Sequence, residues 1–478
     1  MSTFKQSLRL ERSCSQELST FKQTAEPDPW IHFSWKAKPK FNKIFTWTDE
    51  LRILENTNVA KELATAKNAI ETCGPQYIWN FAKKIINPYE LVYTYKKDNI
   101  PKSLSMHIPL SRSYFKMIEI LQLTGYFTKR TSKMSLSTAH VCEGPGGFIE
   151  AIYEIASRNS IKIKNTHAIT LRSTQPHIPG WRRAQQFLQR HRQVKIEYGP
   201  DNTGDILIKE NRDDFIRKTG KVNIYTADGG FDFTADYLAQ EKSIFPLIVA
   251  SAYIGFSVLD NNGFFVLKIF DQFEIATQQL IIFMSSLFDQ WTIYKPATSR
   301  PCNSEQYFIG YGFRGIKRDD LVQLEHLIEF GVMPQTIFDD IDEYIHNSAM
   351  TTQIDFLQRA QGLVTKWHKS APTSDELEHL WNYVLQSSIK FCKLFKIYHY
   401  QINELACELR LPKPLEDDES TYCGVDLKDE IVEAKSSLPN SCQQSLKPDA
   451  VSSSHDSSVP TSESCRPTDS DLPLPKSS

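Results

Sequence analysis

Glu143-Gly144-Pro145-Gly146-Gly147-Phe148 is the segment of this 478-residue chain whose residue types speak most directly of chemistry. A strand-like run precedes it and a helix-like run opens within it. In a doubly wound sheet, ligands bind beyond the carboxyl end of such a strand. Glycines there let the backbone approach a ligand closely, and a helix N-terminus offers free N–H groups to an anion. An ordinary Gly/Pro turn has the same spelling, because short glycine motifs are loose signals. No Lys-Ser/Thr follows, so the loop is not the usual triphosphate grip, and Gly144, Gly146 and Gly147 do not have GxGxxG spacing, which weighs against a nicotinamide dehydrogenase. A ligand with a carboxylate and no pyrophosphate, such as S-adenosylmethionine, fits better. Further on, Gly204-Asp205-Ile206 follows the third strand candidate, where an acidic side chain can accept bonds from an adenosine moiety. Asp205 also suits a plain helix cap or turn.

Lys268 is the second chemical oddity, a lysine near the end of the otherwise apolar run GFFVLKIF that begins at Gly263. Lysine is almost never buried without a partner. The bland alternative is an ion pair that merely holds the strand end.

Such residues need a sheet to place them. Strand-like segments at 138–142, 167–171, 194–198, 222–227, 263–270, 291–295 and 306–311 alternate with helix-like segments at 147–158, 181–191, 238–260 and 274–288. The alternation predicts an α/β fold, a doubly wound, mostly parallel sheet with helices on both faces. The nearly unbroken apolar run before Lys268 reads as a central strand buried on both sides. A helix is expected over 50–70, from apolar positions recurring at three and four, and helices again after Gly315, where Thr373 and Glu376 spell a capping box. The expected divisions are a flexible N-terminus (1–40), a helical N-terminal region (41–105), the α/β domain (106–316), a helical C-terminal extension (317–411) and a disordered tail (412–478).

Composition sets looser bounds. Hydrophobic residues at 40% and charged residues at 23% are globular proportions. The tail carries 6 Lys/Arg against 13 Asp/Glu, a net of −7, which leaves the body at +5 of the total −2. The tail also has 15 Ser and 8 Pro in 67 residues, too little apolar surface to offset its ordering entropy. A mildly basic body permits a polyanionic ligand without demanding one. The nine cysteines form no CxxC pair or zinc-spaced cluster, so reduced thiols and no metal are expected. No apolar run of bilayer length and no secretory leader are read in the chain, which predicts a soluble protein of nucleus or cytoplasm.

The α/β segment resembles the FtsJ-like (Adrift-type) ribose 2′-O-methyltransferases, and among them the cap-specific mRNA enzymes, including relatives in large DNA viruses. The likeness is carried by the loop from Glu143 to Phe148, Asp228 in TADGGF, Lys268 in FFVLKIFD, Glu305 in SRPCNSEQY, and Lys116 within the segment from Ser111 to Leu121. The run from Tyr198 to Ile206 and Lys295-Pro296-Ala297-Thr298-Ser299 look most like the cap-2 type, which methylates the second transcribed nucleotide. The similarity spans roughly 51–396. It implies a Rossmann-like seven-stranded sheet, S-adenosylmethionine as cofactor and capped RNA as substrate. It further implies a catalytic tetrad of Lys116, Asp228, Lys268 and Glu305. Cofactor contacts would come from Glu143, Gly144, Pro145, Gly146, Gly147, Phe148, Asp205, Ile206 and Asp228. An rRNA or tRNA ribose methyltransferase shares this centre, and a catalytically silent RNA-binding module shares the fold.

Methyl transfer from a sulfonium needs chiefly collinear positioning and loss of a proton from a weakly acidic hydroxyl. The implied roles are Lys268 as transient proton acceptor steered by Asp228, with Lys116 and Glu305 orienting the hydroxyl. Electrostatic stabilisation of the developing alkoxide is the other version. Each residue also has a structural reading: a turn Asp before Gly229-Gly230, a surface Glu305, a solvated Lys116 beside Phe115 and Met117. For RNA, Trp181, Arg182 and Arg183 with Arg190, His191 and Arg192 can grip phosphates and stack on a base, although a solvated helix face has the same composition. Lys129, Arg130 and Lys133 are weaker candidates.

Overall fold

Seven of the strands are those expected from alternation, with shifted ends. The computed structural model describes residues 31–38, 58–94, 103–128, 134–172, 180–230, 240–330 and 348–400. Its strands are β1 (Lys36–Ala37), β2 (Ser135–Val141), β3 (Lys162–Ile169), β4 (Val194–Glu197), β5 (Val222–Ala227), β6 (Leu259–Ile269), β7 (Phe288–Tyr294) and β8 (Gln306–Phe313). They form one sheet in the order β1-β7-β8-β6-β5-β2-β3-β4. The block β6-β5-β2-β3-β4 is parallel, and β8, β7 and β1 are added through antiparallel pairings. The order reverses between β2 and β5, which puts the switch point beside the loop that leaves β2.

The eighth strand corrects the seven-strand expectation. Two residues carry no period, so β1 is invisible to alternation, yet it pairs with the β7 edge and Trp291 donates its indole N–H to the Ala37 carbonyl at 3.1 Å. Phe33 packs edge-on against Trp35 and Tyr294 at centroid distances of 5.3 and 5.5 Å. Thus part of the stretch expected to be flexible is ordered by aromatic contact. Strand β6 begins four residues earlier than the sequence reads, because Asp260-Asn261-Asn262 imitates a turn.

The helices are α1 (Asn58–Asn68), α2 (Gln76–Ile85), α3 (Ser113–Thr124), α4 (Gly147–Arg158), α5 (Gln185–Arg190), α6 (Lys209–Thr219), α7 (Gln240–Val258), α8 (Ile275–Ser286), α9 (Arg318–Phe330), α10 (Ser348–Lys369) and α11 (Ser374–Leu394). Helix α4 has the expected bounds. The expected helix over 181–191 is instead a 3-10 turn followed by the six-residue α5. Thr373 does cap α11, its hydroxyl accepting the Glu376 N–H at 3.2 Å.

Period-two alternation divides the sheet into two unlike faces. On the first, Leu136, Ala168, Ile224, Phe264 and Val266 pack under α3 and α4 and join the helical regions α1, α2, α10 and α11 in one core. On the second, Ala139, Val141, Tyr225, Ala227, Phe265 and Leu267 pack against α7 and α8. Helix α7 departs from another expectation. Its window Glu241–Val258 is long enough and apolar enough (mean hydropathy 1.2) to cross a membrane, and 72% of that window is buried inside the fold, as a core helix requires. Residues 412–478 and the basic candidates Lys129, Arg130 and Lys133 lie outside the described residues.

Candidate active site

The loop after β2 owes its shape to two glycines. Gly146 takes φ 107°, a left-handed conformation, as the N-cap of α4. Gly147 answers a different need from the ligand approach expected of it. A Cβ there would stand 2.3 Å from the hydroxyls of both Ser111 and Ser113 and 2.8 Å from the Tyr114 nitrogen. Its missing side chain lets the start of α3 lie against the start of α4, which delivers Lys116 to the sheet's carboxyl end.

There Lys116 meets Glu305 at 2.6 Å, and Lys268 meets Asp228 at 3.1 Å. Both pairs are largely withdrawn from solvent, so neither is a solvated surface contact. Between them stands Tyr307, the antiparallel register partner of Lys268. Its hydroxyl donates to Asp228 Oδ1 at 2.7 Å and lies 3.3 Å from Glu305 Oε1. The four charged residues are thus brought together as two ion pairs joined through one phenol.

Their electrostatics follow from burial against pairing. Burial opposes the Lys268 ammonium, but Asp228 and Glu305 outweigh it and hold its pKa above the ordinary lysine value. Burial likewise works against the Glu305 carboxylate, and Lys116 and Lys268 overcome it, bringing its pKa down to about 2.

Glu143 behaves oppositely. It is 3% exposed, and burial, reinforced by the Asp228 charge, raises its pKa well above the usual carboxylate range. Thr226 donates to its Oε1, while Oε2 has no hydrogen-bond partner among the described residues. An unpartnered buried carboxyl oxygen beside the switch point is a ready acceptor for a ligand N–H or O–H.

The remaining expected cofactor residues are placed as follows. Gly144 and Pro145 form the turn between Glu143 and the α4 cap. Phe148 is fully buried, its ring 5.6 Å from that of Tyr307, which makes it a support for the phenol. Asp205 lies in the β4–α6 loop, accepts the Leu207 N–H at 2.9 Å as a turn residue, and has a charge that reaches Cys142 in the glycine loop. Ile206 is buried in the second core. Gly204 presses its backbone on the Thr170 carbonyl, where a Cβ would come within 2.1 Å, so this loop abuts the carboxyl end of β3. Trp181 is buried over Gly146 and does not offer an exposed stacking face, whereas Arg182, Arg183, Arg190 and Arg192 are exposed.

Several positioning residues escaped the sequence reading. The segment carrying Glu305 is pinned by Lys295, which donates to the Asn303 carbonyl at 2.6 Å and the Glu305 carbonyl at 3.0 Å. Glu119, one turn beyond Lys116, is fully buried, accepts from Tyr294 and from the Ala297 N–H at 2.7 Å, and is pushed by burial up to about 7. Glu90, just after α2, receives Arg300 bidentately at 2.9 and 3.1 Å. Burial works against its charge, and Arg112 and Arg300 prevail, bringing its pKa down to about 2. Arg112 also reaches the Thr298 carbonyl at 3.2 Å. Lys67 on α1 pairs with Asp271, three residues past Lys268, at 2.5 Å. The helical regions therefore clamp both segments that bear catalytic candidates. A residue-by-residue reading gives little hint of this, since a charged helix residue is ordinarily solvated.

Comparison with known proteins agrees with this architecture. Residues 109–313 match the model of the family described as FtsJ-like methyltransferase. A protein of Dictyostelium discoideum called cap-specific mRNA (nucleoside-2′-O-)-methyltransferase 1 is 31% identical over 288 residues, 56% of this chain and 36% of its own length. The corresponding methyltransferase 2 of Danio rerio is 30% identical over 201 residues, 41% of this chain and 27% of its own. A cap-specific mRNA (nucleoside-2′-O-)-methyltransferase of Autographa californica nuclear polyhedrosis virus is 37% identical over 112 residues, 23% of this chain and 43% of its own. The chain thus spans about a third of the length of the first two relatives.

Proposed function

With residues 109–313 an FtsJ-like methyltransferase domain, we propose that this protein transfers a methyl group from S-adenosylmethionine to a ribose 2′-hydroxyl in the cap region of mRNA. The second transcribed nucleotide is the favoured acceptor, on the likeness of the 198–206 and 295–299 segments to the cap-2 type. The observation that carries the reading is the meeting of Lys116–Glu305 and Lys268–Asp228 at the Tyr307 hydroxyl. Two ammonium groups held by carboxylates are suited to a hydroxyl that must lose its proton while gaining a carbon.

The residues present fit the cofactor. Glu143 supplies a buried, unpartnered acceptor, and Asp205 a second acidic side chain in the loop that abuts the carboxyl end of β3. Gly144, Pro145 and Gly146 would supply a close backbone approach, and Asp228 would border both cofactor and acceptor. When bound, the sulfonium supplies an activated methyl whose transfer needs no further activation by the protein.

The chain's own work is on the hydroxyl. Lys268 rests as an ammonium, since Asp228 and Glu305 raise its pKa. Its neutral form is scarce, but once formed it is a stronger base than an ordinary lysine, and the ammonium it becomes is stabilised by the same carboxylates. Lys116, held by Glu305, would donate to the ribose oxygen and so orient it for transfer. Tyr307 keeps Asp228 and Glu305 in register with both lysines. Lys268→Ala is expected to lower turnover by about 10²–10⁴-fold with cofactor affinity nearly unchanged, measured by methyl transfer and by calorimetry. Full activity in that variant would falsify the assignment.

A further inference from the structure

One row of polar side chains on the first face of the sheet has no part in the ion pairs. Thr138 and His140 alternate along β2, with Thr166 beside Thr138 on β3 and Thr226 beside His140 on β5. All four are fully buried. Their bonds form an unbroken line. Tyr153, on α4, reaches Thr166 at 2.9 Å; Thr166 reaches Thr138 at 2.8 Å; Thr138 reaches His140 Nε2 at 2.8 Å; His140 Nδ1 reaches Thr226 at 2.8 Å; and Thr226 bonds Glu143. The far end, Tyr153, is also bonded by Gln193, and both line an open groove of about 560 Å³ with His191 and Lys164.

Each hydroxyl in this line has two partners and one proton, so it must donate to one and accept from the other. His140 is neutral, because burial takes its pKa down to about 3; it therefore carries one N–H and one bare nitrogen. Two orientations of the line satisfy these counts, and they differ in whether Glu143 Oε1 accepts from Thr226 or donates to it. If Glu143 is ionised, every proton points toward it and His140 carries its proton on Nδ1. If Glu143 is protonated on Oε1, every proton points away and His140 carries its proton on Nε2. Passing from the second to the first moves each proton along one bond, and a single proton leaves at the Tyr153 end. Glu143 becomes a carboxylate and every other group stays neutral.

We infer that the row is a proton relay that couples the protonation of Glu143 at the candidate active site to the tautomer of His140, and delivers the exchanged proton at the groove beside Tyr153. His140 is accordingly a positioning residue, acting through Thr226 on the acceptor proposed for the cofactor. The inference rests on the proposed function only for what Glu143 holds, not for the coupling. The groups facing Glu143 are the adjoining Cys142 thiol, Thr226 and Asp228 from β5 and its loop, Lys268 from β6, and the Tyr225 and Tyr307 hydroxyls. Asp228 disfavours and Lys268 favours its ionisation, so the switch belongs to the ligand-free chain and is testable there.

The test is nitrogen NMR of the full-length, ¹⁵N-histidine-labelled protein without ligand, titrated from mildly acidic to alkaline pH. The expected result is that the His140 proton moves from Nε2 to Nδ1 as pH rises, with no imidazolium formed. Glu143→Gln is expected to abolish this pH response in a folded protein. A His140 tautomer constant across the titration, or a switch unchanged in Glu143→Gln, overturns the relay. Failure of methyl transfer on any RNA overturns the proposed function instead and leaves the tautomer result to be judged by itself.

Discussion

The two faces of the sheet are made from the same strands and built on opposite principles. The second face is packed by rings: Phe256 lies stacked on Phe265 at 5.1 Å and on Phe313 at 5.9 Å, with Phe288 against both Phe265 and Phe313 at 5.5 Å. The first face carries Thr138, His140, Thr166, Thr226, Lys268 and Tyr307 among its apolar residues, and every one is hydrogen-bonded or ion-paired. Burying a polar group costs free energy unless it is paired. A row of paired groups is therefore less stabilising than a row of rings of similar size, but it can be polarised. The contrast teaches where the molecule holds stability and where it holds reactivity.

Substitutions that separate these roles test the contrast. On the first face, Asp228→Asn removes the charge opposite Lys268 and should lower the kcat of the folded protein by about 10²–10⁴-fold, read by methyl transfer. On the second, Phe256→Ala should cost about 3–5 kcal/mol of stability in a denaturant titration, while any surviving folded protein keeps its kcat. If Phe256→Ala abolished catalysis without loss of stability, the division would break. Tyr307→Phe should be milder, since it removes one hydrogen bond donated to Asp228: a decrease in kcat of roughly threefold to tenfold, with KM little changed and the fold intact.

Two pH signatures sharpen the comparison further. Lys268 has a raised pKa, so its neutral form grows as pH climbs, and kcat should rise through the neutral and alkaline range. A flat profile would favour electrostatic stabilisation by the ammonium. For stability, Glu305 and Glu90 are depressed from 4.5 to about 2, so their contribution is full above the unfolded pKa and is lost as pH falls through 4 toward 2. Glu119 on the first face and Glu241 on the second are raised by burial from 4.5 to about 7; each prefers the folded state when protonated, and that preference fades as pH rises through 7. Chemical denaturation across pH should show both declines.

The legibility of the fold in the sequence differs between the same two classes of residue. Long elements with a clear signal were readable, and α4 and β5 fall at their expected bounds, the first an amphipathic helix opened by Gly146-Gly147 and the second a strand buried almost throughout. Lys268 stood out because a lysine contradicts its apolar surroundings. Tyr307 did not, since a tyrosine among QYFIGYGF looks like core. Nothing in the sequence marks Thr138 and His140 as members of one row, since their partners Thr166 and Thr226 come from strands far along the chain. Glu119 and Glu90 read as solvated helix residues, because nothing local announces that α3 and the helical regions close over them. The two-residue β1 was too short for periodicity to define, and the helix read over 181–191 is shortened to a 3-10 turn and six α-helical residues.

The most direct measurement is methyl transfer by the intact protein to short RNAs that carry a cap or a bare 5′ end, with the modified atom mapped in the product. The expected result is one methyl on a ribose 2′-hydroxyl of the first or second transcribed nucleotide, the second favoured, and on capped RNA only. A methyl on a base, equal transfer to uncapped RNA, or no transfer to any RNA would contradict the account.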